Sequence, residues 1–168
     1  IIIGADHGGY ALKEAVVAHL RERGCDVEDI GTHDDGSVDY PDFAEGVAVG
    51  VLSGAHDEGI LVCTSGIGMS MAANRYEGIQ ASLVTDVETA RVTREHNDSN
   101  VLCLSANDST AAEAAEIVDT WLDTEFSAGR HARRVGKMNR PHTPALSASD
   151  PAVAEILSAE HERQQKQQ

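Results

Sequence analysis

Residues Ile60–Arg75 read ILVCTSGIGMSMAANR. Ile60 to Cys63 is a short apolar run of the kind that forms a fully buried strand. Gly66 to Arg75 then takes on helical character. A buried strand that passes through a glycine-bearing loop into a helix is the repeating unit of parallel α/β folds. The pattern recurs on both sides. Ile1 to Ala5 is an apolar run ending in Asp6-His7-Gly8-Gly9. A helix follows it, with Leu12, Val16 and Leu20 on one face and Gly24 as its stop. Val27 to Ile30 reads as a strand. Pro41 opens the next helix, which suits the preference of proline for a first turn. Further on, Ile79 to Val84 and Val101 to Leu104 read as strands, with a helix over Val87 to His96 between them. Ser109 is the expected N-cap of a last long helix, in which Ala114, Ile117, Val118, Trp121 and Leu122 line one face. The expectation is an α/β domain built on a parallel sheet of about five strands.

The chain has 168 residues, with 13 Lys+Arg against 28 Asp+Glu and a formal net charge of −15. Hydrophobic residues make up 41%, which suffices for a core and is too much for a disordered acidic chain. So negative a surface repels nucleic acid and anionic membranes at long range, so neither is expected as a partner. No apolar run approaches the roughly 20 residues of a membrane span. Cys25, Cys63 and Cys103 are odd in number and widely spaced, with no C-x-x-C pair. That pattern fits a reducing cytoplasm and gives no metal or dithiol motif. The printed residues begin without methionine at Ile1 and carry no basic-then-apolar leader pattern. A residue or two is expected to precede them.

All 15 glycines fall at or before Gly136, while Pro141, Pro144 and Pro151 cluster beyond it. The expected division is a domain over residues 1–140 and a linker with a helical or frayed tail over 141–168.

In parallel α/β folds ligands bind at the carboxyl ends of the strands. After the first strand come Asp6 and His7, and after the third Cys63, Thr64, Ser65 and Gly66. His96 and Asn97 close the helix after the fourth. A cysteine between a strand and a helix N-terminus is placed to act as a thiolate, and the free N–H groups beside it can hold an oxyanion. It is also a common core filler. Cys25 and Cys103 lack the glycine context and read as packing. A phosphatase loop would need arginine six residues after the cysteine, where Met69 stands, and a dinucleotide fingerprint would need a third glycine where Met71 stands.

Arg130 to Arg140 (RHARRVGKMNR) holds five of the 13 positive residues, and no Asp or Glu occurs between Phe126 and Ser149. Arg130 and Arg134, at i and i+4, share a helix face and suit a phosphate. A solvated helix or a subunit contact would produce the same pattern. None of the eight histidines has metal-ligand spacing. His7 and His96 sit at element ends beside Gly or Asn, and His131 follows Arg130.

Taken together, Gly4-Ala5-Asp6-His7-Gly8-Gly9, Asp39-Tyr40-Pro41, Cys63 through Arg75, His96-Asn97-Asp98-Ser99-Asn100 and Gly129-Arg130-His131 resemble the ribose-5-phosphate isomerase B family, whose wider group includes galactose-6-phosphate isomerase. The resemblance covers about residues 1–140. It implies a Rossmann-like three-layer α/β/α sandwich, a homodimer or tetramer with active sites shared across the interface, and a metal-free aldose–ketose isomerisation through a cis-enediolate. It also implies a cytoplasmic place in the pentose phosphate pathway and no cofactor.

By the same resemblance Cys63 is the base, Ser65 shuttles hydroxyl protons, His96 opens the furanose ring, and Asp6 binds sugar hydroxyls. Tyr40 lines the pocket, and the backbone of Gly66, Ile67, Gly68, Met69 and Ser70 holds the enediolate. Asn97 reaches the substrate from a neighbouring chain. His7, Arg130 and Arg134 grip the phosphate, with His131 beside them. The implied substrate pair is ribose 5-phosphate and ribulose 5-phosphate, with a tetrose or hexose phosphate as the alternative. A non-catalytic sugar-phosphate or nucleotide-binding module is the alternative of another class. The family loop more often has glycine where this chain has Thr64, a change expected to tighten the loop or narrow the substrate space.

Overall fold

The computed structural model describes residues 1–139. The expected linker and tail, 141–168, and Arg140 of the basic segment lie outside the described residues. The elements run β1 (Ile2–Ala5), α1 (Tyr10–Glu22), β2 (Glu28–Asp29), α2 (Tyr40–Leu52), β3 (Gly59–Cys63), α3 (Ile67–Ala73), β4 (Ala81–Leu83), α4 (Val87–Asn97), β5 (Val101–Ser105), α5 (Ala111–Asp123) and α6 (Arg130–Met138). All five strands are parallel, in the order β2-β1-β3-β5-β4. Their register sets Ala5 beside Val62 and Cys63 beside Ser105.

Right-handed crossovers decide which face each helix covers. The chain steps from β1 outward to β2 and from β4 back to β5, which puts α1 and α4 on one face. It steps the other way from β2 to β3 and from β3 to β4, which puts α2 and α3 on the opposite face. The core divides accordingly. Leu12, Val16, Leu20, Val118 and Trp121 pack with Ile3, Ile60 and Leu102 on the first face. Ala44, Val47, Met69 and Ala73 pack with Ile2, Leu61 and Cys103 on the second. This is a Rossmann-like three-layer α/β/α sandwich. The three central strands β1, β3 and β5 are buried along their whole length, which is why they read as continuous apolar runs.

Two expectations are corrected. The last long helix is capped by Thr110, whose Oγ1 accepts from the Glu113 N–H at 3.3 Å while the Glu113 carboxylate accepts from the Thr110 N–H at 2.9 Å. Thr110-x-x-Glu113 forms the reciprocal box, whereas three residues after Ser109 stands Ala112, which cannot reach back. Ser109 Oγ is instead buried without a hydrogen-bond partner among the described residues. The edge strands are also shorter than their apolar runs suggested. Only Glu28–Asp29 and Ala81–Leu83 make ladder pairs.

One polar residue in the core carried no sequence signal. Lys13 is fully buried on α1, with Nζ 2.6 Å from Asp29 Oδ2 and 2.6 Å from Glu14 Oε1. Asp29 Oδ1 accepts from the Gly31 N–H at 2.9 Å. The chain after β2 is thereby tied to α1, and Gly31 and Thr32 bond to the backbone of Ala5.

The start of α1 lies almost on β3. A Cβ at Gly9 would meet the Val62 carbonyl and come within 2.9 Å of the Cys63 nitrogen. Backbone on both sides leaves no room to yield, so Gly9→Ala is expected to destabilise the fold by about 1–3 kcal/mol, the range for overpacking a tight site. Chemical denaturation would check this, read as a lower midpoint with an unchanged slope.

Candidate active site

β1 and β3 are neighbours whose outgoing connections leave toward opposite faces, α1 on one and α3 on the other. The loops part and open a crevice above the carboxyl ends, the place where ligands bind in open parallel sheets. Asp6–Gly9 forms one lip and Cys63–Gly66 the other.

Asp6 follows Ala5 directly and is 9% exposed. Its N–H donates to the Val62 carbonyl at 3.2 Å, and its Oδ1 accepts from the Gly9 N–H at 3.0 Å. Oδ2 has no protein partner among the described residues and is available to a ligand hydroxyl. His7 is exposed on the same lip, and its Nδ1 accepts from the Val38 N–H at 3.3 Å.

Cys63 ends β3 and is 5% exposed. Its Sγ accepts from the Gly66 N–H at 3.1 Å. That bond depends on the turn. Gly66 sits at φ +70°, and a Cβ there would run into Leu83 and lie 3.1 Å from the Leu104 carbonyl. Only glycine satisfies both the conformation and the space. The end of β5 pins the same loop. Ala106 N–H donates to the Cys63 carbonyl and Asn107 N–H to the Thr64 carbonyl, each at 3.0 Å. Ser105 Oγ lies 3.0 Å from the Thr64 carbonyl and 2.6 Å from Asp108 Oδ2, sharing one proton between two acceptors. Ser105 and Asp108 are supporting residues that sequence reasoning missed. Their only signal was position, just after a buried strand.

Ser65 is half-buried, and its Oγ accepts from the Ile67 N–H at 3.4 Å. Ile67 is exposed, and Ser70 Oγ donates to the Ile67 carbonyl at 2.9 Å. The Met69 side chain is fully buried in the core, so this residue can offer a ligand only its backbone. The Tyr40 ring, 40% exposed, covers Gly68, whose Cβ position lies 3.0 Å from Cε2 and Cζ. Tyr40 thus walls the crevice from the α2 side. Thr64 stands against Gly8 so closely that any side chain at residue 8 would collide with Thr64 Oγ1.

The other two cysteines fit their reading as packing. Cys103 is fully buried, and burial, reinforced by nearby Cys63, pushes its thiol far up from the usual range. It stays protonated and inert. Cys25 is half-buried against the core.

The remaining predicted residues lie elsewhere. α4 runs back from the end of β4 to the start of β5, so His96 and Asn97 sit at the amino edge of the sheet. The loop after α5 joins them there, where the Ser127 N–H donates to the Glu95 carbonyl at 3.0 Å. α6 then packs on α4. Arg130 and Arg134 are exposed on its outer face, while His131 and Val135 face inward. No carboxylate among the described residues lies within ion-pair distance of Arg130 or Arg134. Among the described residues, then, neither guanidinium has a carboxylate partner, and two such groups on one helix face suit an anion. The His96 and His131 rings stack with centroids 4.2 Å apart and planes 2° from parallel. Burial, with help from His96, Arg130 and Arg134, pushes the His131 pKa down. Beside this cluster a groove of about 480 Å³ is lined by Tyr76, Gln80, Asn97 and Met138 among others.

The predicted site residues therefore form two groups at opposite edges of one sheet. Asp6, His7, Tyr40, Cys63 and Ser65 stand at the carboxyl edge. His96, Asn97, Arg130, His131 and Arg134 stand at the amino edge. Among the described residues no group of three or more His, Cys, Asp or Glu is placed to hold a metal ion. No described helix is long and apolar enough to cross a membrane.

Comparison with known proteins identifies the family. The sequence profile of the Ribose/Galactose Isomerase family matches residues 1–138. The chain is 44% identical over 135 residues to ribose-5-phosphate isomerase B of Escherichia coli, covering 80% of this chain and 91% of that protein. Among solved structures, ribose-5-phosphate isomerase B of Clostridium thermocellum superposes with a TM-score of 0.81 at 51% identity, over 82% of this chain and 93% of the other. The Mycoplasma genitalium ribose-5-phosphate isomerase B with bound ribulose 5-phosphate gives 0.79 at 42% identity, over 83% and 93%.

Proposed function

Since the chain belongs to the ribose/galactose isomerase family, we propose that it is a sugar-phosphate isomerase interconverting ribose 5-phosphate and ribulose 5-phosphate. The observation that carries the reading is Cys63: a nearly buried sulfur at the β1–β3 crevice, 3.1 Å from the Gly66 nitrogen and across from Asp6, whose Oδ2 has no partner among the described residues.

The chemistry is a proton relay. The Cys63 thiolate takes the proton from C2 of the open-chain aldose. The electron pair moves into the C1–C2 bond and gives a cis-enediolate, and the thiol returns its proton to C1. Ser65 Oγ moves the hydroxyl proton between O2 and O1, while backbone N–H groups at the start of α3 face the developing negative charge. Asp6 holds sugar hydroxyls and Tyr40 walls the sugar. The chain does this with its own side chains, with no metal or cofactor.

The amino-edge group completes the site from a second copy. His96 of one chain opens the furanose ring bound at Cys63 of the other, Asn97 bonds the sugar, and Arg130 and Arg134 join His7 on the phosphate. The enzyme works as a cytoplasmic homodimer. Separation of the groups across a full sheet supports this arrangement, because no side chain spans the distance between the two edges.

An isomerisation assay over four- to six-carbon aldose and ketose phosphates tests the substrate. The highest kcat/KM is expected on the ribose 5-phosphate pair. A tetrose or hexose phosphate turned over faster would reassign the substrate and keep the chemistry. Binding without turnover of any sugar phosphate would overturn the enzymatic reading.

A further inference from the structure

The geometry points to His131 as a positioning residue with two separable jobs: its ring face fixes the plane of the His96 imidazole, and its Nε2 fixes the Arg130 guanidinium. The inference rests on the reading above, in which His96 and Arg130 act on the substrate, and it assigns His131 a different role from phosphate contact.

The first job follows from what else holds His96. Its side chain is 40% exposed. The carboxylate beside it, Glu95 Oε2, lies 3.9 Å from Nε2, too far for a hydrogen bond. Among the described residues no hydrogen bond reaches either ring nitrogen. An exposed imidazole so loosely held would sample several rotamers and lose entropy on ordering for catalysis. The contact that removes this freedom is the stack with His131, parallel to within 2°. His131 itself is rigid. It is 8% exposed, sits in the first turn of α6, and its N–H donates to the Ala128 carbonyl at 2.9 Å.

The second job follows from donor chemistry. Arg130 Nε lies 3.2 Å from His131 Nε2. A guanidinium can only donate, so Nε2 is the acceptor and the ring proton sits on Nδ1. His131 must then be neutral. Its surroundings keep it so: burial leads, and His96, Arg130 and Arg134 all push its pKa down, with Glu95 alone opposing. Protonation would place a third positive charge beside the two arginines and release Arg130. With its acceptor nitrogen committed and one face covered, His131 has little left for a ligand. It links the residue that opens the ring to the residue that grips the phosphate.

Two substitutions separate the jobs. His131→Phe keeps an aromatic face and loses the acceptor. It is expected to hold kcat within about threefold while raising KM for the sugar phosphate about 5–10-fold, the effect of one lost hydrogen bond of ordinary strength. His131→Gln keeps an acceptor near the Nε2 position and loses the face. It is expected to hold KM within about threefold while lowering kcat about tenfold, as expected for a loosened catalytic group. Equal changes in kcat and KM in both variants would mean a packing role and overturn the inference, as would no change in either.

A substrate-free readout stands beside the kinetics. In the His96 proton NMR spectrum the stacked ring shifts the Cε1–H resonance upfield. That shift should persist in His131→Phe and vanish in His131→Gln. Its absence from the parent protein overturns the first job whatever the enzyme does. Its presence without turnover of any sugar phosphate sinks the isomerase reading and leaves the stack standing. Should the Gln variant not fold, the Phe variant decides, since an unchanged KM overturns the second job and a lost upfield shift the first.

Discussion

Cys63→Ala is expected to lower kcat by about 10²–10⁴-fold, the contribution of a positioned general base, with KM for the sugar phosphate changed by no more than a few-fold. At 1.36 kcal/mol per tenfold this is about 3–5 kcal/mol of transition-state stabilisation. The asymmetry follows from where the sulfur sits. It is nearly buried beneath the crevice and bonds to the Gly66 N–H, while in the proposed mechanism Asp6, Tyr40 and His7 contribute to the binding. Cys63→Ser is the companion variant. It keeps the size and the acceptor but raises the group's basicity far above that of a thiolate, so it should fall in the same range. Steady-state kinetics with a thermal melt of each variant would check the pair. A Cys63→Ala enzyme with near-parental kcat would remove the thiol from the mechanism and return Cys63 to core filler.

Mixing two inactive proteins is expected to restore activity. In the proposed homodimer, Cys63→Ala and His96→Ala chains each remove one half of every site. When the chains are dissociated together and reassociated, about half of the dimers pair one of each, by random assortment in a two-fold dimer. Each such dimer has one site carrying both substitutions and one carrying neither. Activity should therefore rise from near zero to about a quarter of parental, since half the dimers each carry one intact site of two. The structural ground is the topology. Cys63 ends β3 at the carboxyl edge and His96 ends α4 at the amino edge. Mixed dimers that form, as seen by native mass spectrometry, yet stay inactive would place the whole site within one chain.

The legibility of this protein varied by element. The long helices were readable because a single buried stripe sets their period. Leu12, Val16 and Leu20 on α1 and Ala114, Ile117, Val118 and Trp121 on α5 are buried as spaced. The central strands were readable because both of their faces are covered. The edge strands were readable in place but not in length, since pairing on one side only lets the ladder stop where the neighbour stops. The cap of α5 turned on a second-order feature, the acceptor at the fourth position of the box, which favours Thr110 over Ser109. Lys13 was invisible. A lysine on a helix reads as solvent-facing, and it is Asp29, brought over from the next strand, that joins Glu14 in making its burial tolerable.

What the sequence determined alone was the order of elements and the identity of the chemical groups. Apolar periodicity, glycine placement and the uneven positive charge near Arg130 are local properties, and local physics reads them. Which groups meet is not local. Crossover handedness and strand order brought Asp6 to Cys63, 57 residues apart in sequence. The same rules sent His96, Arg130 and Arg134 to the far edge, although His96 is closer to Cys63 in the chain than Asp6 is. They also stacked His96 on His131 and turned a basic segment that read as one phosphate grip into an exposed arginine face with a buried histidine behind it. The overall charge of −15 describes the surface as a whole. The fold decides where the two arginines break it, because hydrogen-bond geometry and side-chain contact act over a few ångströms in space and are indifferent to distance along the chain.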